Sequence, residues 1–165
     1  MFKRILIANR GEIAVRVIRA CQELDIETVA IYSEADANAL HVQLADISVN
    51  VGPADATESY LNKTAILKAA RETHADAIHP GYGFLSEDAD FAEQVTEAGI
   101  TWIGPMPETI RLVGDKDIAR ATIAPSGIPM AQGSDPLTSN EEAIKAAAEV
   151  GYPGILKPVA GGGGK

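Results

Sequence analysis

The sequence predicts an α/β protein built on a doubly wound parallel sheet. Short apolar runs alternate with segments whose apolar residues recur at helical spacing. Because a helix between two strands returns the chain to the same edge of a sheet, this alternation predicts parallel pairing. The alternation is regular up to Ile103 and then changes. We therefore predict a first domain over residues 1–114 and a second region over residues 115–165.

Five segments with the length and apolar content of strands carry this prediction. They are residues 3–8, 27–32, 47–51, 75–79 and 101–103. A sixth strand is predicted at the end of the chain, over residues 154–157.

The first helix is expected to begin at Asn9, whose side chain caps it while Glu12 reaches back in the manner of a capping box. Its polar face carries Arg16, Arg19 and Glu23. Its apolar stripe, at helical spacing, consists of Ile13, Val17, Cys21 and Leu24.

The other helices are predicted from start and stop signals. A short helix near 40–45 is followed by one from Asn62 to about Thr73. Ser86 is expected to cap a helix with an acidic first turn that ends at Gly99. Further helices are predicted over 108–113, at the end of the first domain, and over 116–124 and 139–150 in the second region, the last begun by a Ser-x-x-Glu capping box.

Composition restricts the function classes. The 165 residues are 46% hydrophobic, as in an ordinary globular protein, and carry a net charge of −9. This charge argues against nucleic acid or an anionic membrane as a partner. One cysteine allows no internal disulfide, which suits a reducing, cytoplasmic environment.

Two irregular segments follow predicted strands, at the edge where such sheets bind ligands. Asn9-Arg-Gly11 lacks the glycine spacing of a dinucleotide fingerprint, which argues against a nicotinamide enzyme. In His79-Pro-Gly-Tyr-Gly-Phe84, two glycines flank an aromatic residue and allow a close approach of backbone to ligand. The alternatives are an ordinary Pro-Gly turn with Tyr82 packed inward, and a structural role for His79.

The last residues indicate a phosphate-binding loop. Lys157 is followed by the glycine run 161–164 and by Lys165. Glycine backbone can close on an anion, and lysine supplies a mobile charge for it. A P-loop is excluded, because its first glycine would fall on Val159. A flexible tail remains the alternative. We expect the front part of a nucleotide-using enzyme that ends at or near its phosphate loop.

Taken in order, the motifs resemble the biotin carboxylase family, the ATP-grasp component of acetyl-CoA, propionyl-CoA and pyruvate carboxylases. The resemblance covers residues 3–165. Its two most specific motifs are Ile7-Ala-Asn-Arg-Gly-Glu-Ile-Ala14 and His79-Pro-Gly-Tyr-Gly-Phe-Leu-Ser-Glu87. The shorter ones are Ile103-Gly-Pro105, Gly114-Asp-Lys116 and Gly151-Tyr-Pro153, with Lys157 and the glycine run.

This resemblance implies a Rossmann-like pre-ATP-grasp domain over 1–114. The start of an ATP-grasp domain follows over 115–165, truncated in the glycine-rich loop. It also implies that Tyr82 and Gly83 form a wall facing bicarbonate and biotin. The residues that it implies for ATP binding are Lys116, Lys157, Gly163 and Gly164.

On the first helix, Arg16, Arg19 and Glu23 resemble the family's dimer contact, with a solvated helix face as the alternative. The resemblance further implies a homodimer in the complete enzyme, a biotin carboxyl carrier protein or domain, and a carboxyltransferase as partners.

The implied reaction is the ATP- and bicarbonate-dependent carboxylation of carrier-bound biotin through carboxyphosphate, with Mg²⁺ offsetting the phosphate charge. The family's catalytic base and metal ligands are expected beyond Lys165. No catalytic or metal residue is therefore assigned here, and these 165 residues alone are expected to be inactive. The alternatives are a non-catalytic fragment or subunit of a split carboxylase, and another ATP-grasp ligase.

Overall fold

The computed structural model describes residues 2–114, 116–129, 132–134 and 136–156, and only the backbone of Lys116 and Asp117. The chain divides into two compact units after Ile110. Helix α5 (Pro107–Gly114) runs across this division. The domain boundary at residues 114 and 115 stays a prediction.

The first unit contains a five-stranded parallel sheet in the order β3-β2-β1-β4-β5. The strands are β1 (Arg4–Ile7), β2 (Glu27–Ser33), β3 (Ile47–Gly52), β4 (Ala77–His79) and β5 (Thr101–Trp102). The predicted parallel α/β architecture is confirmed. Its central strand β1 pairs with both β2 and β4, so the carboxyl ends of these three strands are neighbours.

Four helices connect the strands of the first unit. They are α1 (Gly11–Glu23), α2 (Leu40–Leu44), α3 (Lys63–Glu72) and α4 (Ala89–Glu97). Asn62 caps α3, accepting the Ala65 N–H at 3.0 Å, as its position before an amphipathic segment predicts.

The core lies on both faces of the sheet. Successive side chains of a strand point to opposite faces, so Leu6 joins one cluster while Ile5 and Ile7 join the other. The first cluster is covered by α3 and α4, and the second by α1. This two-sided burial fixes β1 at the centre of the fold.

The predictions for Leu24 and Ser86 are wrong. Leu24 is 62% exposed rather than part of the stripe of α1, because the helix ends at Glu23. Ser86 does not cap α4. It lies in a short 3-10 helix, and the Asp88 carboxylate accepts the Phe91 N–H at 2.8 Å instead. Asp88 also forms an ion pair with Lys63, which couples the start of α4 to α3.

The second unit contains α6 (Lys116–Ile123), a 3-10 turn at 124–126, and α7 (Asn140–Val150). Ser139 caps α7 by accepting the Glu142 N–H, as predicted, but the Glu142 carboxylate binds Thr138 rather than completing the box. The strand predicted over 154–157 is wrong for 154–156, which form no strand, and Lys157 lies outside the described residues.

Candidate functional site

The candidate site is the surface formed by the loops after β1, β2 and β4. Because these parallel strands are neighbours, the loops 9–11, 33–36 and 80–83 emerge at one edge of the sheet. Open parallel sheets bind ligands at this edge. The two segments singled out in the sequence therefore meet here.

Asn9 joins the first of these loops to the third. Its side chain is 2% exposed, and its Nδ2 donates to Pro80 O at 2.7 Å and to Tyr82 O at 2.9 Å. Its Oδ1 accepts the Arg10 N–H at 2.9 Å. The predicted cap is thus wrong: α1 begins at Gly11, and no side chain caps it. The Asn9 side chain instead donates its hydrogen bonds to a loop that lies more than seventy residues away in the sequence.

Gly81 lies against this asparagine, and no larger residue fits there. A Cβ atom on Gly81 would lie 2.7 Å from Asn9 Nδ2 and 3.1 Å from Ile13 Cγ1, and its φ of +67° disfavours L side chains. The Gly81 N–H also donates to His79 Nδ1 at 3.0 Å. Burial lowers the pKa of His79, so the neutral imidazole that accepts this bond is favoured. This geometry supports the structural role for His79.

The next two residues of the loop face solvent. Tyr82 is 62% exposed, and its hydroxyl donates to Glu12 Oε1 at 2.5 Å. This hydrogen bond, together with the Glu12 charge, raises the pKa of Tyr82, so the hydroxyl keeps its proton near neutral pH. Gly83 is exposed as well, with a φ of +66°. An inward-packed Tyr82 is therefore excluded, and both residues lie where a ligand can reach them.

The side chain of Arg10 contacts the far end of the loop, at Phe84. The Arg10 guanidinium carbon lies 5.4 Å from the centre of the Tyr60 ring and 6.0 Å from that of Phe84. These two rings stack on each other with centroids 5.5 Å apart. Arg10 also pairs with Asp36 at 2.9 Å. Phe84 has a φ of +45°, an uncommon backbone conformation that these contacts stabilise.

Asp36 and Tyr60 contact each other as well as Arg10. The buried Tyr60 hydroxyl donates to Asp36 Oδ2 at 2.7 Å and accepts the Ser33 N–H at 3.0 Å. Burial and then the Asp36 hydrogen bond raise the pKa of Tyr60 to about 12. Burial would raise the pKa of Asp36, but hydrogen bonds from Tyr60 and Arg10 outweigh it and lower the pKa. No sequence pattern groups Arg10, Asp36 and Tyr60, because they lie in three separate segments of the chain.

The other predicted residues lie elsewhere. Arg16, Arg19 and Glu23 are exposed on α1, at a spacing that places them on one side of the helix. Lys116 begins α6 in the second unit, and its side chain is not among those described. Lys157, Gly163 and Gly164 lie outside the described residues. Within the described part of the chain, no helix is long and apolar enough to cross a membrane.

Comparison with known families decides the relationship of the chain. Residues 1–110 match the model for the biotin carboxylase N-terminal domain. The chain belongs to this family. Residues 115–165 match a second model, the ATP-binding domain of the carbamoyl-phosphate synthase L chain. The resemblance to biotin carboxylase inferred from the motifs is confirmed, as is an α/β sheet followed by the start of an ATP-grasp domain.

Relatives match along the whole chain. Biotin carboxylase 1 of Bacillus subtilis is 57% identical over 166 residues, covering 100% of this chain and 37% of that protein. The biotin carboxylase of Pseudomonas aeruginosa is 56% identical over 167 residues, with the same coverage. The chain thus spans 37% of the length of these relatives.

Solved structures agree. The biotin carboxylase domain dimer of the Hydrogenobacter thermophilus 2-oxoglutarate carboxylase, in complex with MgADP, ADP and bicarbonate, superposes with a TM-score of 0.92 at 50% identity. The superposition covers 99% of this chain and 36% of the Hydrogenobacter thermophilus chain. The Campylobacter jejuni biotin carboxylase in a β-γ-ATP complex gives a TM-score of 0.93 at 48% identity, covering 99% and 37%.

Proposed function

We propose that this chain is the N-terminal part of a biotin carboxylase, which uses ATP and bicarbonate to carboxylate biotin on a carrier protein. One observation carries the proposal: the two most specific family motifs meet at the carboxyl edge of the sheet, where Asn9 of one motif binds the Tyr82 carbonyl of the other. Identity of 57% with a biotin carboxylase across the full chain supports it.

In this proposal Tyr82 and Gly83 face bicarbonate and biotin. The raised pKa keeps the exposed Tyr82 phenol protonated, and this phenol can donate its one hydrogen bond to a carboxylate or ureido oxygen by exchanging Glu12 for the substrate. Gly83 has no side chain to block an approach. The space beside its Cα atom is open, because an added Cβ would meet no atom within 4 Å. These residues would bind and orient a substrate, while metal ligands and the catalytic base are not assigned to this chain.

ATP binding is proposed for the second region. Lys116, Lys157, Gly163 and Gly164 are the proposed contacts, with the lysines holding the phosphate oxygens and Mg²⁺ offsetting their charge when the nucleotide is bound. Support comes from the ATP-binding-domain model over residues 115–165. We accordingly propose that the domains divide between residues 114 and 115.

Partners and location are part of the proposal. The exposed side chains of Arg16, Arg19 and Glu23 are available for a homodimer contact, and a related domain was solved as a dimer. A carrier protein would present the biotin, and a carboxyltransferase would take the carboxyl group from the carboxylated biotin. A cytoplasmic location accords with the single, buried cysteine Cys21.

A chimera tests the activity. Residues 1–165 replace the corresponding segment of Bacillus subtilis biotin carboxylase 1, a relative 57% identical over that stretch. We expect bicarbonate-dependent ADP release that rises with free biotin, at a rate close to that of the unaltered enzyme. A folded chimera whose ADP release responds to ammonia or glutamine, and not to biotin, would favour another ATP-grasp ligase. A folded chimera with no activity would favour the non-catalytic alternative.

Lysine variants of the chimera test the ATP contacts. A charged hydrogen bond to phosphate contributes about 1.5–3 kcal/mol. Lys116→Gln and Lys157→Gln should therefore raise the KM for ATP about 10- to 100-fold. Lys157→Gln should have the larger effect, because Lys157 leads into the glycine run, and the KM for biotin should change far less. Normal ATP kinetics in both variants would show that these lysines are solvated surface charges.

A further inference from the structure

We propose that Asn9 is a positioning residue that sets the place of Tyr82 and Gly83 in the substrate-facing wall. The inference rests on the proposed function for the role of the wall, but the hold of Asn9 on the loop is a separate, measurable property. Asn9 itself is buried, so it would act only through the loop backbone.

The first argument is how the amide is used. Its Nδ2 donates to the carbonyls of Pro80 and Tyr82, which lie on either side of Gly81, so one side chain fixes two peptide planes of the turn. Its Oδ1 accepts from Arg10 N, so the amide cannot rotate without breaking all three bonds. The backbone on both sides of Tyr82 restrains itself little, because Gly81 and Gly83 lack a Cβ atom and glycine is the most permissive residue in φ and ψ.

The second argument is that Tyr82 depends on its backbone for its position. Its ring is 62% exposed, so packing restrains little of it, and its hydroxyl reaches the exposed Glu12. A shift of the 80–82 backbone would therefore carry the ring and Gly83 with it. A misplacement of about 1 Å in a positioning element can cost on the order of 100-fold in rate.

The third argument is that asparagine alone suits this position. Aspartate has the same shape but would place a second acceptor oxygen against the two carbonyls. Alanine would leave both carbonyls and the Arg10 N–H without this partner. A longer glutamine would collide with Gly81, whose backbone already lies so close that a Cβ would fall 2.7 Å from Nδ2.

The test uses Asn9→Asp and Asn9→Ala, with Thr28→Val as a matched control. Thr28 is fully buried and its hydroxyl also serves a loop, donating to Asp46 at 2.7 Å, but it lies near the amino end of β2, away from the site. All three variants remove hydrogen bonds made by a buried side chain. Two readouts are compared: amide hydrogen exchange of residues 79–84 in this chain, and the KM values for free biotin and ATP in the Bacillus subtilis chimera.

We expect exchange over 79–84 to rise about tenfold or more in both Asn9 variants, beyond any change in β1 and β2. We expect the KM for biotin to rise about 10- to 100-fold, with a nearly unchanged KM for ATP. Asn9→Asp should have the larger effect. Thr28→Val should lower thermal stability without either change.

Other results would overturn the inference. Equal effects of Asn9→Ala and Thr28→Val on exchange and on both KM values would assign Asn9 a general structural role. So would failure of both Asn9 variants to fold while Thr28→Val folds. An unaltered chimera that folds but shows no biotin-dependent activity would refute the proposed function instead. In that case a rise in loop exchange confined to the Asn9 variants would still establish that Asn9 holds the loop.

Discussion

Helices α3 and α7 begin with the same kind of capping signal, but they differ in how far their side chains are buried. Each is preceded by a polar cap whose side chain accepts an N–H three residues later, from Ala65 in α3 and from Glu142 in α7. Each is amphipathic. Yet Ile66 of α3 is completely buried, whereas Ile144 of α7 is 70% exposed.

The difference extends to the two units. The three clusters of buried apolar residues draw all their members from residues 5–110. Among the described residues after 110, none is buried, and several large apolar side chains are exposed, including Ile155 at 83% and Leu156 at 78%. Caps and periodicity therefore predict where a helix lies along the chain, but burial, which supplies most of the stability of a helix, requires partners from elsewhere in the chain.

The same substitution in both helices should show the largest contrast. Ile66→Ala removes a fully buried side chain and should cost about 2–5 kcal/mol of the free energy of unfolding. Ile144→Ala, at an exposed position, should stay within about 0.5 kcal/mol. The measurement is denaturant unfolding followed by the fluorescence of Trp102, the single tryptophan, which lies in β5 and reports on the first unit.

A conservative pair serves as the control. Ile66→Val should cost about 0.5–1.5 kcal/mol, and Ile144→Val should again have no measurable effect. If Ile144→Ala lowered the Trp102 transition as much as Ile66→Ala, the first unit would not have the self-contained core described here.

The caps should show a smaller contrast. Asn62→Ala leaves the first turn of α3 without its acceptor and should cost about 0.5–2 kcal/mol in the Trp102 transition. Ser139→Ala removes the equivalent bond from α7 and should leave that transition unchanged, while amide exchange at residues 140–143 becomes faster. Asn62→Ser, which retains a capping oxygen, is the control and should recover most of the loss. A lowered Trp102 transition in Ser139→Ala would contradict the independence of the first unit.

Much of this architecture could be predicted from the sequence, because its signals are local. Apolar runs predicted all five strands, and the cap at Asn62 predicted the start of α3. One error arises because a polar side chain has a distant partner. Asn9 was expected to cap α1, but it binds a loop that the parallel sheet brings to it.

The site shows the same limit. The motifs pointed to Tyr82 and Gly83, and the structure places both residues in an exposed loop at the carboxyl edge of the sheet, although their proposed role stays a prediction. Asp36 and Tyr60 could not have been identified, since only the folded sheet brings them to Arg10. The strand predicted at the end of the chain failed over residues 154–156 because an apolar run with no paired neighbour makes no sheet.

The smallest effect on stability is expected when all residues after Gly114 are removed. A chain ended after Gly114 keeps α5 whole and retains every member of the three buried clusters. Its Trp102 transition should therefore match that of the 165-residue chain within about 0.5 kcal/mol, the range of substitutions that disturb no buried contact. Hydrogen exchange in β1, β2 and β4 should be equally slow in both chains. A chain ended after Val95 is the control: it lacks β5 and Ile110, and because it also lacks Trp102 its unfolding is followed by far-ultraviolet circular dichroism. It should not unfold cooperatively, since β5 and Ile110 belong to the core of the first unit. If instead the Gly114 chain lost as much stability as Ile66→Ala, residues beyond 114 would be part of that core, and the contrast between α3 and α7 would reflect where each helix lies in a single cooperative unit.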